Sequence, residues 1–374
     1  MGTPNWTWVP FYDRRIMEVE IQHNLGWNLG PEELSHIPDH WLVYPEPEKS
    51  LHILLAMFYV VFFVSSMTGN GLVLWIFTTS KALRTASNMF VVNLALFDLI
   101  MMTCAPMFIY NAYNQGYTSH LSCQIFAIIG SISGIGAGMT NAAIAYDRYA
   151  TITSPFDGKV TRTKAMLICV FIWLYILPWT VMPALEVWGR FVPEGFLTTC
   201  SFDYLTRTFD NQLFVAVIFV CSYVFPMLAI IYFYSQIVNK VFSHEAALRK
   251  QAKKMNVESL RANQNQNSES VELRIAKAAI AICSVFVMAW TPYAVLALIG
   301  AFGDQSLLTP NVSMIPAVAC KTVGSIDPYI YALSHPRFRL ELQKRVPWLA
   351  IKEKDVSDTH SVATEQSAAP TATA

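Results

Sequence analysis

Charge is scarce in this chain. Only 14% of its 374 residues are Asp, Glu, Lys or Arg, and the signs cancel to a formal net charge of +0. A globally basic surface for nucleic acid is thereby excluded. The start of the chain lacks the apolar h-region of a cleavable signal peptide, because Pro, Asn and charges interrupt the first 50 residues; the first apolar span is expected to be its own insertion signal. The tail beyond residue 350 has no cysteine, which excludes palmitoylation there. Also missing is any internal repeat, which argues against the inverted halves of a transporter. What fills the chain is apolar: 54% hydrophobic residues with a mean hydropathy of +0.37, the balance of a membrane protein.

Seven stretches are long enough to cross a hydrocarbon core of about 30 Å as helices: residues 53–78, 87–112, 122–146, 165–185, 212–237, 275–301 and 307–333. With Lys277 counted in the loop it adjoins, 20 Lys and Arg residues fall on one side of these spans and 5 on the other. The positive-inside rule then puts the N-terminus outside. Asn5, in Asn5-Trp6-Thr7, is the expected glycosylation acceptor; a second sequon at Asn311 lies close to a membrane face.

Pro106, Pro178, Pro183, Pro226, Pro292 and Pro328 fall within spans, so kinked helices around a polar interior are expected. The small residues of "GSISGIGAGMTNAA" (130–143) mark the third span as the central, closely packed helix. The inner loop at 238–274 opens with apolar and basic residues at helical spacing, which extends the fifth span past the membrane; its Asn/Gln/Ser middle reads as flexible. The expected organisation is an extracellular segment 1–51, a seven-helix bundle 52–334, a short amphipathic membrane-surface helix 335–348 and a disordered cytoplasmic tail 349–374. The fold class is all-α integral membrane, a seven-transmembrane helix bundle with a short amphipathic eighth helix. Five of seven cysteines lie in spans; Cys123 and Cys200 face an oxidising compartment, where a disulfide or two separate thiols both fit their placement.

Lys321 is the one charge deep in the last span, about ten residues from either end. An intramembrane ammonium costs a few kcal/mol and marks a functional site by default; at that depth snorkelling fails. An apolar surround favours the neutral amine that condenses with an aldehyde. "AYDRY" (145–149) closes the third span with Asp147, Arg148 and Tyr149, and alone it reads equally well as an interfacial charge pair.

Together with "AWTP" (289–292), "DPYIY" (327–331) and the Cys123/Cys200 pair, that motif resembles the rhodopsin-like class of G-protein-coupled receptors over residues 50–347. The seventh-span motif of the class usually begins with Asn; here it is Asp327, followed by Pro328 and Tyr331. Lys321, six residues before Asp327 and 31 after Trp290, resembles the lysine by which opsins hold retinal as a Schiff base. The resemblance implies 11-cis-retinal or 3-hydroxyretinal as cofactor and a pocket of Trp290, Phe286, Tyr293, Ala294, Gly130, Gly134, Tyr223 and Ala317. It implies no metal and no catalytic residue. A protonated Schiff base needs a carboxylate. From Cys123 to Tyr146 there is none, and Phe126 stands where vertebrate visual opsins place theirs. Glu194, six residues before Cys200, is the candidate counterion, as in invertebrate visual opsins. Asn70 and Asp98 with Asp327 imply a buried polar network, and Glu272 implies a partner for Arg148 that holds the receptor off in the dark.

"LALFDLIM", "SISGIGAGMTNAAIAYDRY", "WGRFVPEGFLTTCSFDYLT" and "QAKKMNVESLRAN" are similar to insect short-wavelength opsins. That similarity implies a Gq-type heterotrimeric G protein, arrestin and a receptor kinase as partners, with membrane lipids around the bundle, and location in the cell membrane of photoreceptor microvilli (rhabdomeres). Ultraviolet-sensitive relatives carry Lys two residues before the proline of the second span; here that residue is Cys104, a spectral-tuning position. A second cation there would disfavour the protonated Schiff base, so the expected pigment is blue-absorbing. The alternatives are a receptor for a diffusible ligand and a retinal photoisomerase. "DRY", Glu272 and the basic third loop favour signalling over catalysis.

Overall fold

The computed structural model describes residues 23–154, 158–255 and 271–349. Asn5, the loop middle at 256–270 and the tail from 350 lie outside the described residues, and the side chains of Glu272 and Tyr331 are likewise not described.

Seven long helices form the bundle. They are α1 (Lys49–Thr79), α2 (Ala86–Tyr113), α3 (His120–Thr153), α4 (Arg162–Ala184), α5 (from Phe209, through Val220–Val224, to Met255), α6 (Val271–Phe302) and α7 (Pro310–Ser334). The first six are long and apolar enough to cross a membrane; α7 is more polar, with Ser313, Lys321, Thr322, Ser325 and Asp327, and packs between α6 and α1. Outward side chains such as Val61, Phe171, Leu174 and Leu228 are exposed and apolar, as lipid-facing residues are. A short helix α8 (Pro336–Arg345) follows, capped by His335 and docked on α1 through Phe338, whose ring stacks on Phe77.

The expected central role of the third span holds: α3 is buried without interruption from Ser133 to Ala145. Its small residues admit large neighbours. A Cβ added at Gly134 would lie 2.5 Å from Trp290 Cη2, and one at Gly138 2.9 Å from Phe286 Cζ. Proline acts as expected in two places. In α2 the helix restarts at Ala105 after Cys104, with Pro106 in the first turn; in α5 a π-helical turn, Val220–Val224, precedes Pro226.

At the Cys123 end of the bundle the chain builds a lid. A hairpin pairs β1 (Phe191–Glu194) with β2 (Thr199–Phe202), with Glu194 opposite Thr199 and Pro193 opposite Cys200. Its base is tied by Asp203, which accepts from Arg190 Nε at 2.8 Å and from the amides of Leu205 and Thr206 at 2.9 Å. Residues 23–48 pack beside the α2–α3 turn, where the His36 and His120 rings stack; Trp41 is fully buried, and His40 Nε2 meets the Leu308 carbonyl at 2.8 Å. A Cys123–Cys200 disulfide staples β2 to the start of α3 and closes a separation of 77 residues. Cys200→Ser is expected to lower stability by about 2–5 kcal/mol. The readout is the thermal unfolding midpoint, with the double variant C123S/C200S no worse than either single change.

Candidate functional site

Lys321 is 5% exposed on α7, and its Nζ donates to the Ala317 carbonyl one turn back at 2.8 Å. The ammonium lies 5.6 Å from the centre of the Phe126 ring and 5.8 Å from that of Phe108. Two aromatic faces partly offset the charge without holding it by a directional bond. Phe126, which leaves the third span without a carboxylate, is therefore part of the lysine's setting.

Glu194, at the end of β1, is 4% exposed. It accepts from Tyr293 Oη at 2.9 Å and from Tyr204 Oη at 3.1 Å. Burial pushes its carboxyl up from the usual carboxylate range, against the opposing pull of the Lys321 charge and of the Tyr293 and Tyr204 hydrogen bonds. Tyr293 also reaches Ser201 Oγ, at 2.5 Å. Tyr204, beside the Asp203 turn, is pushed up by burial and by the adjoining Glu194 charge, which keeps it a donor.

Lys321 and Glu194 line one cavity of about 480 Å³ with Met101, Gly130, Trp290 and Tyr293. No ion pair joins the two charges among the described residues. A second cavity, of about 670 Å³, shares Gly130, Ser131, Phe202, Trp290 and Tyr293 with the first and runs on to Phe219 and Tyr223 of α5. Together they make an elongated, mostly apolar channel with a lysine at one end. Such a shape suits a long apolar molecule held by one polar attachment.

Of the residues proposed for the pocket, Gly130, Gly134, Tyr223, Phe286, Trp290, Tyr293 and Ala294 all line the larger cavity. Ala317 lies beside the channel as the acceptor for Lys321. Tyr223 Oη is 2.6 Å from Thr291 Oγ1, which links α5 to α6 beside the Trp290 ring. Cys104 is buried at the break in α2, one turn before Phe108. Tyr204 and Ser201 belong to the site too; both lie in "WGRFVPEGFLTTCSFDYLT", where the signal was their place in the loop that Cys200 pins down.

Toward the opposite end, Asn70, Asp98, Asp327 and Pro328 share a cavity of about 360 Å³. Asn70 Nδ2 donates to Ser66 Oγ at 3.0 Å and to the Gly324 carbonyl at 2.7 Å. Asp98 Oδ2 and both Asp327 carboxyl oxygens have no hydrogen-bond partner among the described residues. At the end of α3, Arg148 is paired with Asp147, which also accepts from Ser87 Oγ at 2.9 Å. Tyr149 stacks at an angle on Phe233 of α5, ring centres 5.4 Å apart.

Residues 69–331 match the 7 transmembrane receptor (rhodopsin family) domain. Over 95% of its length the chain is 61% identical to "Opsin, ultraviolet-sensitive" of Apis mellifera, covering 96% of that protein. It is 59% identical to "Opsin Rh4" of Drosophila melanogaster, with 93% of each chain covered. "Opsin, blue-sensitive" of Apis mellifera is 50% identical, with 91% of each covered. Among solved structures, squid rhodopsin superimposes with a TM-score of 0.77 at 30% identity, over 89% of this chain and 96% of that one.

Proposed function

Because the chain belongs to the rhodopsin family of seven-transmembrane receptors and, within it, to the insect ultraviolet- and blue-type opsins, we propose that it is a light receptor holding 11-cis-retinal, or its 3-hydroxy form, on Lys321. The observation that carries this reading is the channel that places Lys321 and Glu194 together at one end and the Trp290 and Tyr223 rings along its walls. Such a receptor is not an enzyme. Retinal supplies the absorption of light and the change of shape. The protein's own residues supply the attachment point, a buried carboxylate, and the apolar walls that exclude water.

Glu194 is the counterion of this proposal. Its carboxyl takes two tyrosine hydroxyls and feels the Lys321 charge. Cys104 is neutral, so no second cation opposes a positive charge on the Lys321 nitrogen; this favours a protonated linkage and blue absorption. The greater overall identity to the ultraviolet-sensitive relative favours the other spectral reading. Adding 11-cis-retinal to the expressed chain, recording the spectrum and trapping with borohydride decides both points. A band in the blue and an adduct on Lys321 are expected. An ultraviolet band overturns the spectral reading alone; an adduct on another residue, or none, overturns the function.

Signalling follows from the bundle. Gly134 brings α3 against Trp290, and Pro292 sits in α6 two residues later, so a displaced indole bears on a helix weakened at that point. The proposed output is opening of the Arg148 end to a Gq-type G protein, with arrestin and a receptor kinase acting afterwards, in the membrane of photoreceptor microvilli and with the N-terminus outside. Asn5 is the proposed glycan site. Glu272, on α6, is the proposed partner that restrains Arg148 in the dark. Glu272→Gln is expected to raise G-protein activation in darkness; unchanged dark activity would remove that lock from the scheme.

A further inference from the structure

A cleft of about 950 Å³ opens on the side of the bundle, far from the retinal channel, at the end that the positive-charge bias assigns to the cytoplasm. Its walls are apolar in depth, with Phe77, Leu83, Met89, Val92, Leu96 and Cys169 on α1, α2, α4 and the α1–α2 turn. Its floor is closed where Trp173 Nε1 donates to Asn93 Oδ1 at 3.0 Å. Leu96 is exposed and Met89 and Val92 half-buried, so the cleft faces the surrounding bilayer and not the bundle interior.

Its mouth is cationic. Arg84 and Arg162 both line it, both are exposed, and neither is ion-paired among the described residues. Arg84 gives only its Nε–H to the Thr78 carbonyl, at 3.0 Å, which holds the guanidinium in place and leaves the rest of the fork available. Asp147, at the end of α3, is already taken by Arg148 and Ser87. The first turns of α2 and α4, capped by Thr85 and Thr161, start at the same mouth and add partial positive charge.

We infer that this cleft binds an anionic phospholipid of the inner leaflet, its phosphate between Arg84 and Arg162 and one acyl chain along Leu83, Met89, Val92 and Leu96. Two guanidinium groups above an apolar slot, that of Arg84 held by the Thr78 carbonyl, match a phosphate attached to a hydrocarbon chain, and a neutral lipid would leave the charges uncompensated. The site is separate from the retinal channel and rests on the membrane orientation proposed above.

The test is photocrosslinking of the full chain in phosphatidylcholine vesicles doped with a phosphatidylserine that carries a diazirine on one acyl chain. Adducts are expected on the peptides spanning residues 83–96 and 162–169, and unlabelled phosphatidylserine is expected to suppress them where equal phosphatidylcholine or sterol does not. The double variant R84Q/R162Q should lose about tenfold of the labelling, while K344Q, a charge change on α8, should keep it. An unchanged unfolding midpoint shows that the double variant is folded, and the competition in the unsubstituted protein stands without any variant. Equal competition by phosphatidylcholine or sterol, undiminished labelling of folded R84Q/R162Q, or adducts confined to other peptides overturns the proposal.

Discussion

Lys321→Ala is expected to abolish pigment formation completely: no absorption band after 11-cis-retinal is added, and no adduct after borohydride. The channel offers no replacement. Lys321 is its one amine among the described residues, and the neighbouring Cys320, whose Sγ donates to the Ala317 carbonyl at 3.3 Å, is a thiol. Lys321→Arg separates charge from chemistry, because a guanidinium keeps the positive charge but stays protonated and cannot condense with an aldehyde. It too should give no band. Neither loss should come from misfolding in the alanine variant, since removing an ammonium from mid-membrane relieves a cost of about 2.5–3.5 kcal/mol. The change also removes the cation that draws the Glu194 carboxyl down, so burial should push that group further up. The measurement is an absorption spectrum beside the mass of borohydride-treated peptides. A band in Lys321→Ala would place retinal elsewhere and end the proposed function.

Much of this arrangement was legible in the sequence, because a bilayer imposes simple rules. Spans of apolar residues became helices, and each spanning helix read at 53–78 or 122–146 is longer in the structure, Lys49–Thr79 and His120–Thr153, because hydropathy reports only the part in hydrocarbon while the helix continues beyond it. The extension of α5 to Met255 followed from apolar and basic spacing in the same way. The lid was not legible. Four-residue strands with Pro193 in one of them carry no periodicity, and their placement depends on the Asp203 turn and on a disulfide to a residue 77 positions away. Residues 23–48 look polar, and their attachment rests on isolated anchors such as Trp41 and Leu25. Proline marked where α2 and α5 depart from regular geometry, but not that one would restart after a break and the other pass through a π-helical turn.

The site divides along the same line. Lys321 stood out because a charge in an apolar run is costly whatever surrounds it. The walls were named through resemblance to a family, and the geometry gathers seven of those eight around one cavity. Tyr204 and Ser201 had only their place in the loop tethered at Cys200 to point to them, since a single hydroxyl in a loop has no pattern of its own. Their importance appears only when the hairpin folds Glu194 inward, where a buried carboxylate must find donors or rise in pKa.

Glu194→Gln should move the absorption band from the visible to the ultraviolet at neutral pH. The carboxylate is the buried group that compensates the positive nitrogen, and its loss leaves that charge uncompensated in an apolar surround. The sign follows from which form is charged. The protonated nitrogen loses its compensating carboxylate, so it releases its proton at a lower pH, and acidification should restore the visible band. Tyr293→Phe removes one hydroxyl from the carboxylate, at 2.9 Å, and should move the same titration by a smaller amount in the same direction, because a less stabilised Glu194 is more readily protonated itself. The competing candidate is Asp98, which lines a narrow crevice with Lys321 and Trp290 and has an unpartnered carboxyl oxygen. Asp98 also faces Asp327 and Asn70 in the next cavity, away from the tyrosine donors, so Asp98→Asn should leave the band in the visible. Titrating the spectra of both variants decides between them: an ultraviolet shift in Asp98→Asn with none in Glu194→Gln would transfer the counterion role to α2.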